Sequence, residues 1–544
     1  MRSSRGRQRA GRGAPQSRQS WTWPGLASVT LPPLLLWPGY IHPDEWHQSV
    51  EVAAWLTGHH ARLPWEFSQT GAARSVLVPL LAAGPPVALW HTLGVSPTAL
   101  ALLLRLYLTL TAGLLCRAAV LCAAQATGLP SPHAAVTAWA LSWPAIVLVT
   151  RPLSNTLEAA ALAGTMLLAL DDGQAMPLWR LLCMGLTLGV ATFCRFTAVL
   201  FLAPLIAWAL AQAYQNGRLR SGTLAFAVGL FAASCGCIAA DSRFFGTLAF
   251  TPLNSLAYNS RSGNLAEHGL HPRLLHIAVN LPLLALPLLP SAVSAVAQAA
   301  RRLRVATRGF SRVARWKVTR ADTMLLVLAS TVVLPTAVLS LAPHQEPRFL
   351  LPIMLPLAAL GGPGAMAHRR RLVIAFNVAL ALFFGGMHQA GVLPAASLAA
   401  QHAQHLGSAC ALAPRPQVLF WRTYLVPQSL FRAPAGGAAA SPIVDLGAVG
   451  GGQLDAALAR MPCYDAPCAT RLLVLPGWRA PPVGASLLGV PLFPHFSAED
   501  AGEVAAAVMS RRVTLRRALS LVVYSWPCSR ETWGKAGGRQ YPYP

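Results

Sequence analysis

Three acids stand within eight residues near the start of the chain, in His42-Pro43-Asp44-Glu45 followed by Gln48 and Glu51. If the chain turns helical after Pro43, then Asp44, Gln48 and Glu51 fall one or two turns apart on one face. Such a cluster can bind a metal, act as a base, or cap a helix. Asp44 near a helix N-terminus is stabilising in its own right. Capping explains one acid, but it explains poorly the cluster with His42 and Gln48.

Other chemically capable groups recur along the chain. Glu66 lies in Pro64-Trp65-Glu66-Phe67, and Arg74-Ser75 follows. Arg151, Asn155 and Glu158 precede an apolar run. Asp241, Glu267, His268, His271 and Arg273 crowd one loop, and His344-Gln345-Glu346-Pro347-Arg348-Phe349 separates two apolar runs. Acids beside cations suit group transfer from a lipid phosphate. A base takes the proton of an incoming hydroxyl, and cations stabilise the charge on the departing phosphate. A lipid-borne donor arrives through the bilayer and needs no nucleotide site. The chain has no G-x-x-x-x-G-K-[ST] loop and no H-E-x-x-H zinc motif.

The elements that must position these groups are membrane helices. Of 544 residues, 54% are hydrophobic and only 11% charged, and mean hydropathy is +0.47. About 25% charge is usual for a soluble domain, so a soluble enzyme is excluded. Net charge is +25, which in other settings points to nucleic acid. Here the cations are almost all Arg, with Lys317 and Lys535 the only lysines. They cluster between apolar runs, as cytosolic loops of membrane proteins do. No nucleic-acid partner is expected.

Residues 1–20 form a basic arm, expected to be disordered and cytosolic. The run 21–41 reads as an uncleaved first span, because no small-x-small cleavage site ends it. Residues 42–75 then lie on the far side, with aromatics suited to an interface. Further apolar segments fall near 76–94, 98–124, 131–149, 155–171, 177–194, 196–213, 222–240, 274–293, 322–342, 349–365 and 371–388. The acid-free basic run 301–320 and His368-Arg369-Arg370-Arg371 should be cytosolic. Parity then requires one segment not to cross. The segment 131–149, interrupted by Pro132 and Pro144, is the best candidate, and a re-entrant segment there needs protein cover. Eleven spans remain, with the candidate groups on the far side.

The tail, 389–544, carries no span. Val418-Leu419-Phe420 and Arg471-Leu472-Leu473-Val474-Leu475 read as short buried strands bounded by Pro and Gly. A mixed α/β unit of about 150 residues is expected there. Its cysteines, Cys410, Cys463, Cys468 and Cys528, favour disulfides first, free thiols second and zinc last, because their spacing matches no ribbon or finger.

The motif His42-Pro43-Asp44-Glu45 with Gln48 and Glu51, together with His344-Gln345-Glu346-Pro347-Arg348-Phe349, resembles the signatures of the family 22 glycosyltransferases of the GT-C fold. Pro64-Trp65-Glu66-Phe67 with Arg74-Ser75, Arg151-x-x-Ser154-Asn155-Thr156-x-Glu158, Tyr258-Asn259 with the Asn264–Arg273 stretch, and His388-Gln389-Ala390-Gly391 are similar to one branch, which adds the fourth mannose to glycosylphosphatidylinositol (GPI). The chain departs from that branch at Cys194-Arg195-Phe196-Thr197, where Asn-Arg-Pro-Thr is usual. It departs again at Thr423-Tyr424-Leu425-Val426-Pro427-Gln428, where an Arg is lost.

The resemblance implies an all-α GT-C transmembrane domain over 21–388, a luminal mixed α/β domain over 389–544, and residence in the endoplasmic-reticulum membrane with a luminal site. It implies inverting, α-1,2 mannosyl transfer from dolichyl-phosphate mannose to a trimannosyl GPI-precursor lipid, without a metal or other cofactor. Asp44 is the expected base, with Glu45 second. His344 and Arg348 are expected to hold the donor phosphate. His42, Gln48, Glu51, Glu66, Arg74, Arg151, Asn155, His268 and His271 are expected to contact or orient substrates. The alternatives are a sister mannosyltransferase, for the third GPI mannose or the N-glycan precursor, and a transporter with the acids as coupling groups. Transporters often carry internal repeats, and none is evident.

The arginine distribution makes a topological prediction. A glycosylation acceptor engineered near residue 310 should stay unmodified in microsomes, whereas one placed in loop 42–75 should be glycosylated. Modification near residue 310 would overturn the eleven-span arrangement.

Overall fold

The computed structural model describes residues 38–94, 96–170, 176–266, 269–308, 319–409, 416–431, 442–447, 451–460 and 470–527. The basic arm, the first span up to residue 37, His268, residues 309–318 of the basic run and all four tail cysteines lie outside them.

The chain is a polytopic α-helical membrane protein with a C-terminal α/β unit. A π-helical turn, Trp46–Val50, leads into α1 (Glu51–Leu56), and α2 (Leu77–Ala82) follows the first loop. Helices α3 (Pro97–Leu108) and α4 (Leu114–Ala126) join through a π-turn, Thr109–Gly113. Then come α5 (Pro132–Leu141), α6 (Ser154–Ala169), α7 (Leu178–Cys194), α8 (Ala198–Gln215), α9 (Leu219–Phe245) and α10 (Thr251–Asn259). Helices α11 (Leu289–Arg308), α12 (Arg320–Leu339), α13 (Met354–His368) and α14 (Arg370–Ala381) complete the membrane part.

Among the described residues six helices are long and apolar enough to cross a bilayer: Pro97–Ala126, α8, α9, α12, Pro347–His368 and Arg370–Met387. A seventh forms if the pair His276–Ala285 and Leu289–Val305, bent by 106°, counts as one broken span. Among the described residues fewer helices pass as continuous spans than the eleven crossings expected, and part of the reason is local. The apolar stretch 76–94, expected to cross, breaks at Ala83, just before Gly84-Pro85-Pro86, while 131–149, expected not to cross, breaks at Ser142, two residues before Pro144. Proline removes a donor from the helical ladder and clashes with the preceding turn, whereas hydropathy registers composition alone. Helices α6 and α7 stop at 16 and 17 residues.

Pro347–His368 is the most deeply buried of the candidate spans, at 83%. Its Gly361 and Gly362 press against the backbone of Leu288 and Ala135. The motif at residues 344–349 therefore caps the most constrained helix of the bundle. At the periphery, α7 and α9 pack backbone to backbone. A Cβ on Gly185 would collide with the carbonyl of Phe226, and one on Gly229 with that of Leu182. Small residues permit this approach where apolar burial gives little drive between membrane helices.

The tail begins with α15 (Val392–Ala409) and builds a five-stranded sheet from β1 (Gln417–Phe420), β2 (Ile443–Asp445), β3 (Thr470–Pro476), β4 (Ser486–Leu492) and β5 (Leu521–Pro527). The order is β2-β1-β3-β5-β4. Strands β2, β1 and β3 are parallel, and β5 runs antiparallel to both β3 and β4. Strand alternation sends Val418, Phe420, Leu472, Val474, Leu521 and Val523 to one face. That face packs on α15 and continues into Tyr40, Trp46, Val50 and Leu104 of the membrane part. Leu419, Trp421, Leu473, Leu475 and Tyr524 take the other face, against Leu454 and Leu458 of α16 (Gly451–Arg460).

Gly229→Val should overpack the α7–α9 contact and cost about 1–3 kcal/mol. The expected readout is a lower melting temperature in detergent. An unchanged value would mean that the two helices are free to separate.

Candidate active site

The first motif is set by its backbone. Gly39 N–H donates to Gly385 O at 2.7 Å and Tyr40 N–H to His388 O at 3.0 Å, pinning the loop to the end of the last membrane helix. Pro43 then opens a helix, its carbonyl accepting from Trp46 and His47. A first-turn proline fits because its missing N–H would have had no helical partner there. The adjacent Asp44 and Glu45 consequently point into different surroundings.

Asp44 faces the second motif. Its Oδ2 lies 2.8 Å from Arg348 Nη1. Arg348 also donates from Nε to Glu346 Oε2 at 2.5 Å and from Nη2 to Glu346 Oε1 at 3.1 Å. Glu346 Oε1 lies 2.9 Å from His344 Nε2. His42 accepts the Asp44 N–H on Nδ1 at 3.1 Å and turns Nε2 toward Glu346, 3.8 Å away. The side chains of Asp44, His42 and Glu346 are 21%, 30% and 19% exposed, so this cluster is open to a ligand.

Glu45 is sealed. It is 1% exposed, pairs with Arg151 Nη1 at 3.2 Å and accepts the Ile41 N–H at 3.0 Å. Arg151, 2% exposed, also donates to Gly39 O. Glu51 is fully buried and accepts the N–H groups of Arg62 and Ser429 at 2.9 and 2.8 Å, tying the first loop to the tail. Gln48 Nε2 donates to Glu66 Oε1 at 2.9 Å. The Glu66 carbonyl accepts from the N–H groups of Ala73 and Arg74, closing the first loop.

Asn155 is fully buried in the first turn of α6. His271 accepts the Gln345 N–H on Nδ1 at 3.2 Å, and its ring lies 5.4 Å from that of His344. The structure thus brings His42, Asp44, His344 and Arg348 together, sets His271 beside them, and places Glu45, Glu51, Arg151 and Asn155 in buried supporting positions. His268 is outside the described residues.

Three groups were not singled out from sequence. Glu346 is the hub of the cluster; an acid between His344 and Arg348 was its available signal. Tyr424 reaches in from the tail, with Oη 3.1 Å from His388 Nε2 and its ring 5.5 Å from Tyr40 and 6.4 Å from His42. The neighbouring Leu425 carbonyl accepts from Tyr40 Oη at 2.8 Å and lies 3.2 Å from His47 Nε2. The tail segment that departs from the family pattern therefore still docks on the first motif. Arg195 lies 3.5 Å from Glu158, whose Oε1 accepts from Thr197 Oγ1 at 2.7 Å. At the other departure, the two retained positions are the two that bind Glu158.

Burial by itself would raise the Asp44 pKa. The Arg348 charge, followed by His42 and Arg74, overrides it and holds the carboxyl well below the usual range. Glu346 is likewise opposed by burial but held low by Arg348, His344 and His42. The bond from Glu346 raises His344. Both carboxylates are thus ionised at neutral pH and neutralised by the cations beside them. Among the described residues no group of three or more His, Cys, Asp or Glu is arranged to hold a metal ion.

A membrane helix bundle with an acid–arginine–histidine cluster at the head of its central helix defines a class of integral-membrane group-transfer enzyme. The chain belongs to the Alg9-like mannosyltransferase family, whose profile matches residues 29–432. It is 34% identical over 461 residues to GPI alpha-1,2-mannosyltransferase 4 of Homo sapiens, covering 78% of each chain. It is 31% identical over 423 residues to GPI mannosyltransferase 4 of Schizosaccharomyces pombe, covering 73% of each. The apo crystal structure of ArnT from Cupriavidus metallidurans aligns with 94% of this chain and 98% of its own, at 12% identity and a TM-score of 0.45.

The depressed carboxylates give a pH signature. Their contribution to stability is complete above the unfolded pKa, about 4, and is lost as pH falls through the lower folded value. His344 is raised, so its contribution is complete below about 6.5 and is lost as pH rises through the folded value. Glu346→Gln should therefore melt below wild type at neutral pH, and the gap should narrow as the medium is acidified below about pH 4. A gap that does not change with pH would remove the linkage.

Proposed function

We propose that this chain transfers mannose from dolichyl-phosphate mannose to the 2-hydroxyl of the terminal mannose of a trimannosyl GPI precursor. The product is a fourth, α-1,2-linked mannose, formed with inversion in the endoplasmic-reticulum membrane by an eleven-span GT-C enzyme whose site faces the lumen. The observation that carries this reading is the 2.8 Å contact between the reachable carboxylate Asp44 and Arg348. Membership of the family supports it, as do the names of the relatives over most of the chain.

Asp44 takes the proton of the acceptor hydroxyl. The oxygen attacks C1 of the mannose from the side opposite the phosphate. The C1–O bond breaks and its electron pair leaves on the phosphate, whose charge Arg348 and His344 stabilise. In the substrate-free protein Arg348 is spent on Asp44 and Glu346. When the donor phosphate draws the guanidinium away from Asp44, the carboxylate loses its strongest acidifying neighbour and becomes a better base. Arrival of the donor is thereby coupled to activation of the base.

A positioned carboxylate base contributes about 10²–10⁴-fold to rate. Asp44→Asn should lose that much in single-turnover transfer to a trimannosyl GPI lipid, while the protein stays folded, since Asn also caps a helix at little cost. Arg348→Ala should fall far below Arg312→Ala at matched protein level. Near-normal turnover by folded Asp44→Asn would refute the assignment of the base. Transfer only to an acceptor other than the trimannosyl GPI lipid would move the chain to a sister activity.

A further inference from the structure

Arg105 lies within Pro97–Ala126, a candidate membrane span, and the transfer chemistry above makes no use of it. Helical spacing puts it on the buried face of α3 with Ala101, Leu104 and Leu108, while Leu102 and Leu106 are exposed. Arg105 itself is 3% exposed. An ionisable side chain at membrane depth is costly and by default functional. Among the described residues no carboxylate pairs with it directly. Its Nη2 donates instead to the carbonyl of Gly39 at 3.3 Å.

The same oxygen accepts from Arg151 Nη1, which also pairs with Glu45 Oε2 at 3.2 Å. Two buried guanidiniums therefore share one carbonyl and one carboxylate, which leaves an excess positive charge. An apolar side chain of similar volume at 105 would pack without that penalty. What the charge secures is the Gly39 peptide. Gly39 N–H donates to Gly385 O at 2.7 Å, and a Cβ on Gly39 would stand 2.4 Å from that same oxygen. The backbone is thus pressed against the last membrane helix, and both arginines hold it there. Two residues on, Ile41 N–H donates to Glu45 Oε1 at 3.0 Å. Pro43 then opens the turn from which Asp44 reaches Arg348, 2.8 Å away.

We propose that Arg105 is a positioning residue for the transfer. With Arg151 it clamps the Gly39 carbonyl from within the membrane, and so fixes the direction in which Asp44 presents its carboxylate. Arg105 needs no contact with either substrate; it acts through residues 39–44. The inference rests on the function proposed above, with Asp44 as the base. A misplacement of about 1 Å at a reacting group costs on the order of 10²-fold in rate. Loosening this peptide is therefore felt at the chemical step rather than in substrate binding.

The test uses full-length protein in nanodiscs, with dolichyl-phosphate mannose as donor and a trimannosyl GPI lipid as acceptor. Arg105→Met removes the N–H groups and keeps an unbranched side chain. It should melt at or above the wild-type temperature, because an apolar chain replaces a buried charge. Its kcat should nevertheless fall about 10–100-fold, with KM for both substrates near wild type. Arg105→Lys, which can still donate to the carbonyl, should restore part of kcat. Arg105→Gln is a second truncation and carries the measurement if Arg105→Met does not fold. In an Asp44→Asn background the same truncation should cost almost nothing further, because the group being positioned is gone. Wild-type kcat in a folded truncation would overturn the inference. So would a loss that multiplies undiminished onto that of Asp44→Asn, or a kcat and melting temperature that fall together without recovery in Arg105→Lys. Each of those results makes Arg105 a structural charge of the bundle. A wild type that transfers no mannose would overturn the functional reading, and the positioning role with it.

Discussion

The Arg348 guanidinium holds together two segments 304 positions apart in the chain, gripping Asp44 on one side and Glu346 on the other. Two carboxylates brought this close in a half-buried setting would repel each other and gain protons. One planar, permanently charged group with several donors lets both stay ionised. It also fixes the open loop at residues 38–45 to the head of the most buried helix, Pro347–His368. The site is therefore only as mobile as that helix, which the close Gly361 and Gly362 contacts lock into the bundle.

Around this pair the polar residues divide by burial. Glu45 and Arg151 form a sealed pair under the loop. Gln345 is 1% exposed; it accepts the His276 N–H and donates to the carbonyls of Arg273, Ser340 and Ala342, fixing the turn that carries Glu346. A buried charge left without its partner is costly, so these groups act as struts and have little freedom to meet a substrate. The reachable groups, Asp44, His42, Glu346 and His344, stand on the struts.

The C-terminal unit belongs to the same architecture. Its α15 and the inner face of its sheet share one hydrophobic cluster with Tyr40, Trp46 and Val50. Glu51 bonds to Ser429, and Tyr40 to Leu425. The loop carrying the acids lies between bundle and sheet and is held from both. Tyr424 thus stays at the site in a tail segment that departs from the family pattern at Leu425, Val426 and Gln428.

Much was legible in the sequence because it depends on composition and local pattern. Low charge and long apolar runs define a membrane protein, and short continuous apolar runs bounded by Pro and Gly marked β1 and β3. The pairing of His42-Pro43-Asp44-Glu45 with His344–Phe349 was legible only as a resemblance. The break ahead of Pro144 was legible from the proline, but the break of 76–94 at Ala83 was not, because average hydropathy is insensitive to it. The separate environments of Asp44 and Glu45 were invisible, because neighbours in sequence carry the same letters whether they face a cleft or an arginine. Glu346, Arg195 and Tyr424 entered the site for a similar reason. Their partners lie in other segments, and only the packed bundle decides which side chains share a low-dielectric space, where charge pairing and desolvation set what each can do.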